Sequence, residues 1–353
     1  MRTNKRQTIF FPFICQDIQD DPKPPKKNAK YIIKSVNFDS NNEIEISKKI
    51  QTILNYSNYF NPIEKDSYIN IEELDEEVLT QILKKQPNTD QIYYLFTLKD
   101  VSNTSFYKYF YNIHNQKNPK KYVYNMIEYY KSLLQILQIT TGERLVYLNI
   151  NPTNILINTD NQPVLTNFNS SFYFPITTEE RKSNLFSKYD PANYFLPLEV
   201  QVICFMNKYE YSSLSVLNIE TICDNWINFS LGAGSLSIFS KELIERFKEV
   251  ANFSLQKFIN KPKRWITDEL LNSYATWDNY SLSMMYLVLL KNVFKEVFNK
   301  KKNKFITDFS QILIENIHPV SLKRHSIEHT VELFDDIINN MKQLDIMEAI
   351  DSF

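Results

Sequence analysis

The spacing of apolar residues changes near residue 99, and this change constrains the fold more than any other feature of the sequence. Before it, "YIIKSVNF" (31–38) and "QIYYLFTL" (91–98) are short segments rich in β-branched and aromatic residues, which predict strands. Between them, "NNEIEISKKIQTIL" (41–54) starts with asparagines and has apolar residues near helical spacing, which predicts a helix. The front of the chain is therefore predicted to be rich in strands.

The rest of the chain carries long helical patterns instead. The strongest patterns cover 122–141, 278–298 and 326–344, and Gly142 is predicted to close the first of them as its C-cap residue. A small strand-rich part (1–98) followed by a large helical part (99–353) predicts an α+β protein with two lobes.

Charge and targeting signals narrow the classes of partner. Forty basic residues stand against 41 acidic ones, so no overall field favours nucleic acid or a membrane surface. Three cysteines, Cys15, Cys204 and Cys223, have no metal-binding spacing, which favours a reduced compartment. The first 20 residues are a poor signal peptide, and no apolar run of about 18 residues predicts a membrane span. We therefore expect a cytoplasmic protein with no nucleic-acid or membrane partner.

One stretch has the order of an active-site loop but not its charges. In "LVYLNINPTNILINTDNQPVLTNFNSSFYF" (145–174), an apolar run leads to a Pro-x-Asn turn, a hairpin turn at "NTDNQP" and a polar-Phe-polar triplet. Where catalysis would use carboxylates, the chain has amides. These are Asn149, Asn151, Asn167 and Asn169.

A strand lysine, a helix glutamate, a Pro-x-Asn loop and a polar-Phe-polar triplet, in this order, resemble the protein kinase superfamily. "YIIK" resembles the V-A-I-K strand, which implies that Lys34 stands at the phosphate-holding position. "EIEISKKI" resembles the following helix, which implies Glu43 as the partner of Lys34, with Glu45 as the alternative. Ser47 stands where the family has an apolar residue.

"YLNINPTNIL" resembles the catalytic loop H-R-D-x-K-P-x-N-I-L. The loop keeps its proline and asparagine, whereas four family residues are replaced. Tyr147, Leu148, Asn149 and Asn151 stand at the His, Arg, Asp and Lys positions. "VLTNFN" resembles the strand and D-F-G, keeping Phe168 but placing Asn167 at the aspartate. The resemblance implies that Asn154 and Asn167 occupy the metal-ligand positions.

Three later segments continue the resemblance. "FLPLEV" resembles A-P-E, "WDNYSLSMMYLVLL" resembles the D-x-W-S-x-G helix, and "HPVSLKRHSIEH" resembles the segment with the arginine that pairs with the A-P-E glutamate. These matches imply structural roles for Glu199, Asp278 and Arg324, beside the structural residues Tyr147 and Phe168. The fold that the resemblance implies is the two-lobed protein-kinase-like fold, with an insertion at about 200–275 before the central helix of the C-lobe. Insertions of this kind resemble kinase-like proteins of large DNA viruses, which would place the chain in the host cytoplasm or the virion.

The amides predict that the chemistry is lost. Magnesium is usually bound through one or two carboxylates, whereas Asn154 and Asn167 are neutral. Asn149 cannot accept the substrate proton, a contribution of about 10²–10⁴ in rate, and no glycine precedes Lys34 to form a phosphate-covering loop. We therefore expect a catalytically inactive pseudokinase that acts as a binding, scaffold or regulatory module, without a cofactor. Weak or metal-independent ATP binding stays open, and the protein partner is unknown.

Alternative interpretations remain for the whole chain and for single features. The chain could instead be a weakly active or atypical nucleotide-dependent kinase or transferase, or a structural virion component. Lys34 and Glu43 are either a structural ion pair or a nucleotide contact. His325 and His329, four residues apart on a predicted helix, are interpreted as surface histidines, "NKKKNK" (299–304) as a solvated loop and "LGAGS" (231–235) as an ordinary loop. The aromatic stretch 101–130 is predicted to be core, with any exposed rings forming an interaction surface.

Overall fold

The computed structural model describes residues 29–69, 92–101, 104–232, 240–293 and 304–340. Cys15, Gly234 and residues 299–303 of the lysine-rich run lie outside these ranges. Within them the strands are β1 (Ala29–Ser35), β2 (Phe60–Asn61), β3 (Ile63–Ile69), β4 (Tyr93–Lys99), β5 (Thr104–Ser105), β6 (Leu145–Val146), β7 (Ile155–Ile157), β8 (Pro163–Thr166) and β9 (Phe172–Tyr173).

Helices make up most of the described structure. They are α1 (Phe38–Ile50), α2 (Phe106–Asn115), α3 (Pro119–Gly142), α4 (Glu179–Leu185), α5 (Leu198–Lys208), α6 (Val216–Trp226), α7 (Lys241–Leu255), α8 (Lys263–Leu271), α9 (Trp277–Val293), α10 (Lys304–Asn316) and α11 (Ile327–Asn340). Together with the small sheets, they make the protein a mixed α+β protein, the class that the apolar spacing predicts. No helix in the described part of the chain is long and apolar enough to cross a membrane.

The chain divides into two compact units. Unit 1 comprises Met1–Thr104 and Ile155–Ser171, and unit 2 comprises Ser105–Asn154 and Phe172–Phe353. The boundary predicted at residue 98 assigns the later segment Ile155–Ser171 to the helical lobe. That segment belongs to unit 1 because β8 pairs with β2 in parallel, with Leu165 opposite Phe60.

Unit 1 is built on a three-stranded antiparallel sheet in the order β1-β4-β3. The register places Lys34 opposite Tyr94 and Ile32 opposite Phe96. Successive side chains of a strand point to opposite faces, so Ile32 and Lys34 share one face. Ile32 packs there in a core with Phe96 and with Ile44 of α1.

Helix α1 begins earlier and ends earlier than predicted. Its N-cap is Asn37, whose side chain accepts a hydrogen bond from Ser40 N at 3.1 Å, while Ser40 Oγ accepts one from Asn37 N at 3.0 Å. This reciprocal capping box satisfies two amides that a helix leaves open at its start, and it ends strand β1 before Phe38. The helix ends at Ile50, so Leu54, the last residue of the predicted helix, lies outside it and is 85% exposed.

Ser47 of α1 has a structural task in unit 1. Its hydroxyl accepts a hydrogen bond from the backbone N–H of Ile63 at 3.1 Å, and both groups are buried. Gln51 at the end of the helix donates to the Ile63 carbonyl at 2.7 Å. A buried backbone amide needs an acceptor, which explains why this position of α1 is polar.

Strands β7 and β8 form the hairpin that "NTDNQP" predicts. Leu156 pairs with Val164, and the turn is closed by hydrogen bonds from the Gln162 amide to the Asn158 side chain at 2.9 Å and from the Asn161 amide to the Asn158 carbonyl at 2.9 Å. Asn161 has a φ of 59°, a conformation that asparagine tolerates better than most residues. The predicted hairpin turn is confirmed.

Unit 2 is organised around α9. Helix α9 is buried on all sides, for example at Trp277, Tyr286 and Leu290. This is expected for an apolar helix in the middle of a bundle. The Tyr286 ring lies 4.7 Å from that of Tyr130 in α3 and 6.0 Å from that of Phe309 in α10. Aromatic packing therefore holds the long helices of unit 2 together.

The end of α3 differs from the prediction. Gly142 is the last helical residue rather than the C-cap, and the left-handed conformation falls on Arg144, with a φ of 54°. The Arg144 carbonyl accepts the Phe174 amide at 2.9 Å. This contact continues the pairing of β6 with β9 and decides where the chain turns.

In the region 200–275, predicted as an insertion, the described residues form most of α5 and all of α6 to α8, with a π-helical turn at Ile227–Gly232. Trp226 donates its indole N–H to the hydroxyl of Tyr280 in α9 at 3.1 Å, and both rings are buried. Cys204 and Cys223 of this region are free and buried, and burial raises the pKa of both thiols to about 12. The region is thus packed on the central helix of unit 2.

Candidate functional site

The predicted site residues fall into two groups that belong to different units. Lys34, Glu43, Asn167 and Phe168 are in unit 1, and the loop with Asn149, Asn151 and Asn154 is in unit 2.

The ammonium group of Lys34 makes the ion pair that the sequence predicts. Its Nζ lies 2.5 Å from Oε2 of Glu43, whose side chain is only 4% exposed, while that of Lys34 is 22% exposed. The alternative partner, Glu45, pairs with Lys49 at 2.9 Å on the surface of α1. Helix geometry explains the choice, because residues two positions apart face different directions.

Asn167 supplies a second acceptor to the same ammonium group. Lys34 Nζ donates to Asn167 Oδ1 at 3.2 Å, and the amide oxygen must be the acceptor because lysine only donates. Asn167 has a φ of 65°, so this residue takes the left-handed conformation that asparagine accepts with little strain. The cluster of Lys34, Glu43 and Asn167 carries one positive and one negative charge and is neutral in sum.

The Asn-Phe-Asn segment after β8 is held firmly within unit 1. Phe168 is fully buried and its ring meets that of Phe60 edge to face at 6.2 Å. Asn42 of α1 donates from Nδ2 to the carbonyls of Asn169 at 3.0 Å and Ser171 at 2.8 Å. Asn42, which directly precedes Glu43, carries no signal in the sequence for this role, because only the fold brings together residues so far apart in the chain.

In unit 2, Asp278 anchors the start of the loop. Its carboxylate accepts the backbone N–H groups of Tyr147 at 2.7 Å and Leu148 at 2.8 Å. Leu148 has a φ of 53°, a left-handed conformation that costs a branched residue about 1–3 kcal/mol. The two hydrogen bonds hold Leu148 in this conformation.

The three loop asparagines bond to one another rather than presenting charge. Asn151 Oδ1 accepts the amides of Thr153 at 3.0 Å and Asn154 at 3.2 Å, which is an Asx turn. Asn154 Nδ2 donates to the Asn149 carbonyl at 3.2 Å, and Asn151 Nδ2 donates to the same carbonyl at 3.1 Å. The loop is stabilised by neutral amides, and none of these three side chains can take a proton near neutral pH.

Glu199 and Arg324 form a buried ion pair in unit 2. Arg324 Nη2 lies 2.9 Å from Glu199 Oε2, and the two side chains are 0% and 7% exposed. Arg324 also donates to the His318 carbonyl at 2.7 Å and stands over the Tyr280 ring at 5.1 Å. The structure thus brings together two residues 125 positions apart that the resemblance implies as partners.

The two histidines do not lie on one helix as predicted. Helix α11 begins at Ile327, so His325 precedes it because Ser326 caps the first turn, accepting the His329 amide at 3.2 Å. His325 bonds to Glu315 at 2.7 Å and His329 to Glu332 at 3.2 Å. Among the described residues, no group of three His, Cys, Asp or Glu side chains is placed to hold a metal ion.

Asp278 predicts a measurable dependence of stability on pH. Burial raises the pKa of its carboxyl from 3.8 to about 6, against the opposing effect of the Tyr147 and Leu148 amides. The folded state therefore binds this proton more tightly than the unfolded chain, and the resulting stability is full below pH 3.8 and lost as the pH rises through about 6. We expect the unfolding free energy of the native protein, relative to Asp278→Asn, to fall by about 1–1.5 kcal/mol between pH 5 and pH 8.

Denaturant unfolding followed by tryptophan fluorescence measures this difference, because all three tryptophans, Trp226, Trp265 and Trp277, are in unit 2. The asparagine side chain introduced by Asp278→Asn does not titrate, so comparison with the variant removes the background of other groups. A difference that stays constant or grows with pH would contradict the prediction.

The residues of the two groups include one cation, Lys34, and one anion, Glu43. Lys34 is engaged by Glu43 and Asn167, and the loop of unit 2 presents amide oxygens and amide N–H groups. Such groups can bind a polar ligand, and the one carboxylate among them, that of Glu43, is paired with Lys34. No protein-family model matches the chain, and a search of curated proteins finds no match.

Proposed function

We propose that this chain is a pseudokinase, a two-lobed protein-kinase-like fold that serves as a binding, scaffold or regulatory module and does not transfer phosphate. The observation that carries the proposal is the pair of amides, Asn149 and Asn167, at positions where the resemblance implies catalytic carboxylates. In this proposal unit 1 corresponds to the N-lobe and unit 2 to the C-lobe.

Contacts in unit 1 support the kinase-like part of the proposal. A strand lysine pairs with a buried helix glutamate, and the residue before Phe168 bonds to the same lysine. In the kinase superfamily these positions hold the phosphates, the partner of the lysine and a metal ligand. Two of the predicted positions, Glu43 and Asn167, thus converge on the ammonium group of the third, Lys34.

Contacts in unit 2 give independent support. The resemblance implies a buried Glu–Arg pair and an aspartate that anchors the catalytic loop, and the corresponding residues make these contacts. Both are stabilising features that a fold keeps whether or not it catalyses a reaction. They therefore bear on the fold and not on the activity.

Loss of activity follows from the charges. Asn167 Oδ1 accepts a hydrogen bond from Lys34 and carries no negative charge with which to hold magnesium beside a triphosphate. Asn149 offers no site for the proton that a substrate hydroxyl must release. We expect no metal-dependent cofactor, and any nucleotide bound by Lys34 would be held without a metal.

Phosphate transfer tests this proposal directly. Purified protein incubated with labelled ATP, Mg²⁺ or Mn²⁺ and generic protein substrates is expected to transfer no more label than the Lys34→Met variant. The matched control is Lys49→Met, which removes a lysine of unit 1 whose partner lies on the helix surface. Transfer by the native chain and by Lys49→Met, but not by Lys34→Met, would overturn the proposal in favour of an atypical enzyme.

Restoring the carboxylates tests the kinase-like part separately. In a thermal-shift titration, ligand that binds only the native state must raise the melting temperature. We expect ATP to raise it in a Mg²⁺-dependent way for Asn149→Asp/Asn167→Asp, and to show no Mg²⁺ dependence for the native chain. Absence of any Mg²⁺ dependence in the restored variant would count against the kinase-like fold.

A further inference from the structure

Helix α2 has two aromatic faces with opposite surroundings. One face is buried and consists of Phe106, Phe110 and Ile113. On the other, Tyr107 and Tyr111 are 59% and 54% exposed and their rings stack at 6.1 Å with an interplanar angle of 17°. His114 continues this face at helical spacing. Adjacent aromatic rings left in solvent are apolar area that the fold itself does not use.

A pocket of about 410 Å³ opens beside these tyrosines, entirely within unit 2. Its lining includes Phe110 from α2, Tyr122 from α3, Tyr194, and Met285 and Leu289 from α9. Pockets of roughly 300–1,000 Å³ lined by aromatic and aliphatic side chains are the usual form of ligand sites. This one is large enough to take a bulky apolar side chain.

Helix α2, which lines the pocket, is hydrogen-bonded to the loop of unit 2 that contains Asn149, Asn151 and Asn154. The Tyr107 amide donates to the Pro152 carbonyl at 3.0 Å, and Pro152 is also part of the pocket lining. Ser105 caps α2 by accepting a hydrogen bond from the Lys108 amide at 3.3 Å. The exposed face is therefore presented by a capped helix tied to its neighbour, so little ordering is needed before a ligand binds.

The segment of chain that forms α2 and the start of α3, two helices that line this pocket, is basic. Between Asp100 and Glu128 the sequence has no acidic residue, but it has four lysines: Lys108, Lys117, Lys120 and Lys121. All four are exposed. Lys121 Nζ lies over the ring of Tyr109 at 6.0 Å. Local charge thus differs from the overall charge of −1.

We propose that this pocket docks an acidic segment of a partner protein, with a bulky apolar side chain in the pocket and flanking carboxylates on the lysines. Charge complementarity selects the acidic partner and steers its approach, and a buried apolar anchor supplies most of the affinity. The inference deepens the proposed function and rests on it, because it names the partner class of a binding module.

The shape of the site favours a peptide over single-stranded nucleic acid. Nucleic-acid platforms present aromatic rings in series along a basic groove, so that successive bases stack on them. Here two tyrosines flank a single concave pocket closed by buried rings, which suits one side chain projecting from a chain.

Fluorescence polarisation with labelled peptides tests the proposal. Each peptide has about 15 residues, which is long enough to cross the pocket and reach the flanking lysines. Each peptide has a central Phe, Leu or Trp between blocks of Asp and Glu, and the matched peptide has Ala at the centre. At least one of the three is expected to bind the native protein, with an affinity that falls as the salt concentration rises. We expect at least a tenfold loss in Tyr107→Ala/Tyr111→Ala, and a loss of similar size at low salt in Lys120→Glu/Lys121→Glu.

The control variants carry the same chemical changes elsewhere. Phe253→Ala truncates a strongly exposed ring, and Lys257→Glu/Lys261→Glu reverses two exposed lysines of the region 200–275. Both are expected to bind like the native protein, and unchanged melting temperatures verify folding of all variants. The proposal is overturned if none of the three peptides binds or if the Ala peptide binds equally well. It is also overturned if Tyr107→Ala/Tyr111→Ala and Lys120→Glu/Lys121→Glu bind normally, or if oligo-dT binds more tightly than every peptide.

This test and the test of the proposed function can fail separately. Phosphate transfer by the native chain would overturn the pseudokinase proposal, but it would not change the measured peptide affinities. Lack of peptide binding would overturn the docking site and leave the inactivity untouched.

Discussion

Replacing Glu199 by Ala lowers the free energy of unfolding by about 3–5 kcal/mol, because it leaves a buried guanidinium without its counter-charge. The Arg324 side chain is 0% exposed, so water cannot replace the lost carboxylate. Its remaining partners, the carbonyls of His318 and Pro319 and the hydroxyl of Thr276, are all neutral. Glu199→Gln keeps the shape of the side chain and is expected to lose nearly as much.

Denaturant unfolding followed by tryptophan fluorescence reports this loss, since all three tryptophans are in unit 2. The matched control is Asp335→Ala, which removes one partner of the exposed pair with Lys131 and is expected to cost less than about 1 kcal/mol. The double variant Glu199→Leu/Arg324→Met removes both charges and is expected to be more stable than Glu199→Ala. A loss in Glu199→Ala no larger than that in Asp335→Ala would show that the pair is not the stabilising contact.

Replacing Asp278 by Ala is expected to destabilise unit 2 by about 3–5 kcal/mol, because two backbone N–H groups lose a charged acceptor at about 1.5–3 kcal/mol each. The amides of Tyr147 and Leu148 are buried with their residues, and the left-handed Leu148 loses the contacts that hold it. Asp278→Asn should lose about half as much. Its amide oxygen can accept one N–H, but its amide nitrogen would face the other donor.

The measurement is again denaturant unfolding, here at about pH 7, where the carboxylate of the native protein is mostly ionised, with Asp336→Asn as the control for an exposed carboxylate of α11. A second readout is hydrogen exchange at Tyr147 and Leu148, which should speed up in Asp278→Ala more than at amides of α9. If Asp278→Asn and Asp278→Ala lost the same stability, acceptance by a single amide oxygen would contribute nothing, and the argument from paired hydrogen bonds would be wrong.

The sequence predicted local structure where the signal lies within a few residues. The α+β class follows from local composition and spacing, since β1 and β4 are short segments rich in β-branched and aromatic residues, whereas α3, α9 and α11 have long helical patterns. The hairpin at "NTDNQP" follows from the preference of Asn and Asp for turns. The neutral side chains of Asn149 and Asn167, on which the proposed loss of catalysis rests, can also be seen in the sequence.

Boundaries were predicted less well, because hydrogen bonds at the helix caps and between paired strands decide them. The capping box at Asn37 ended β1 and started α1 before the predicted residue. The left-handed position after α3 fell on Arg144 instead of Gly142, since the pairing of β6 with β9 sets the exit of the chain. His325 was left outside α11 because Ser326 caps that helix.

By itself, the sequence determined the fold class, the neutral amides at four loop positions and the likeness that led to Lys34, Glu43, Glu199, Asp278 and Arg324. Only the tertiary structure decided that Lys34 bonds to Asn167 as well as to Glu43, that Asn42 holds the segment after Phe168, and that Tyr107 and Tyr111 face solvent beside a pocket. The physical reason is that charge and periodicity belong to single residues and their neighbours. Hydrogen bonds and burial depend on which distant segments the folded chain brings into contact.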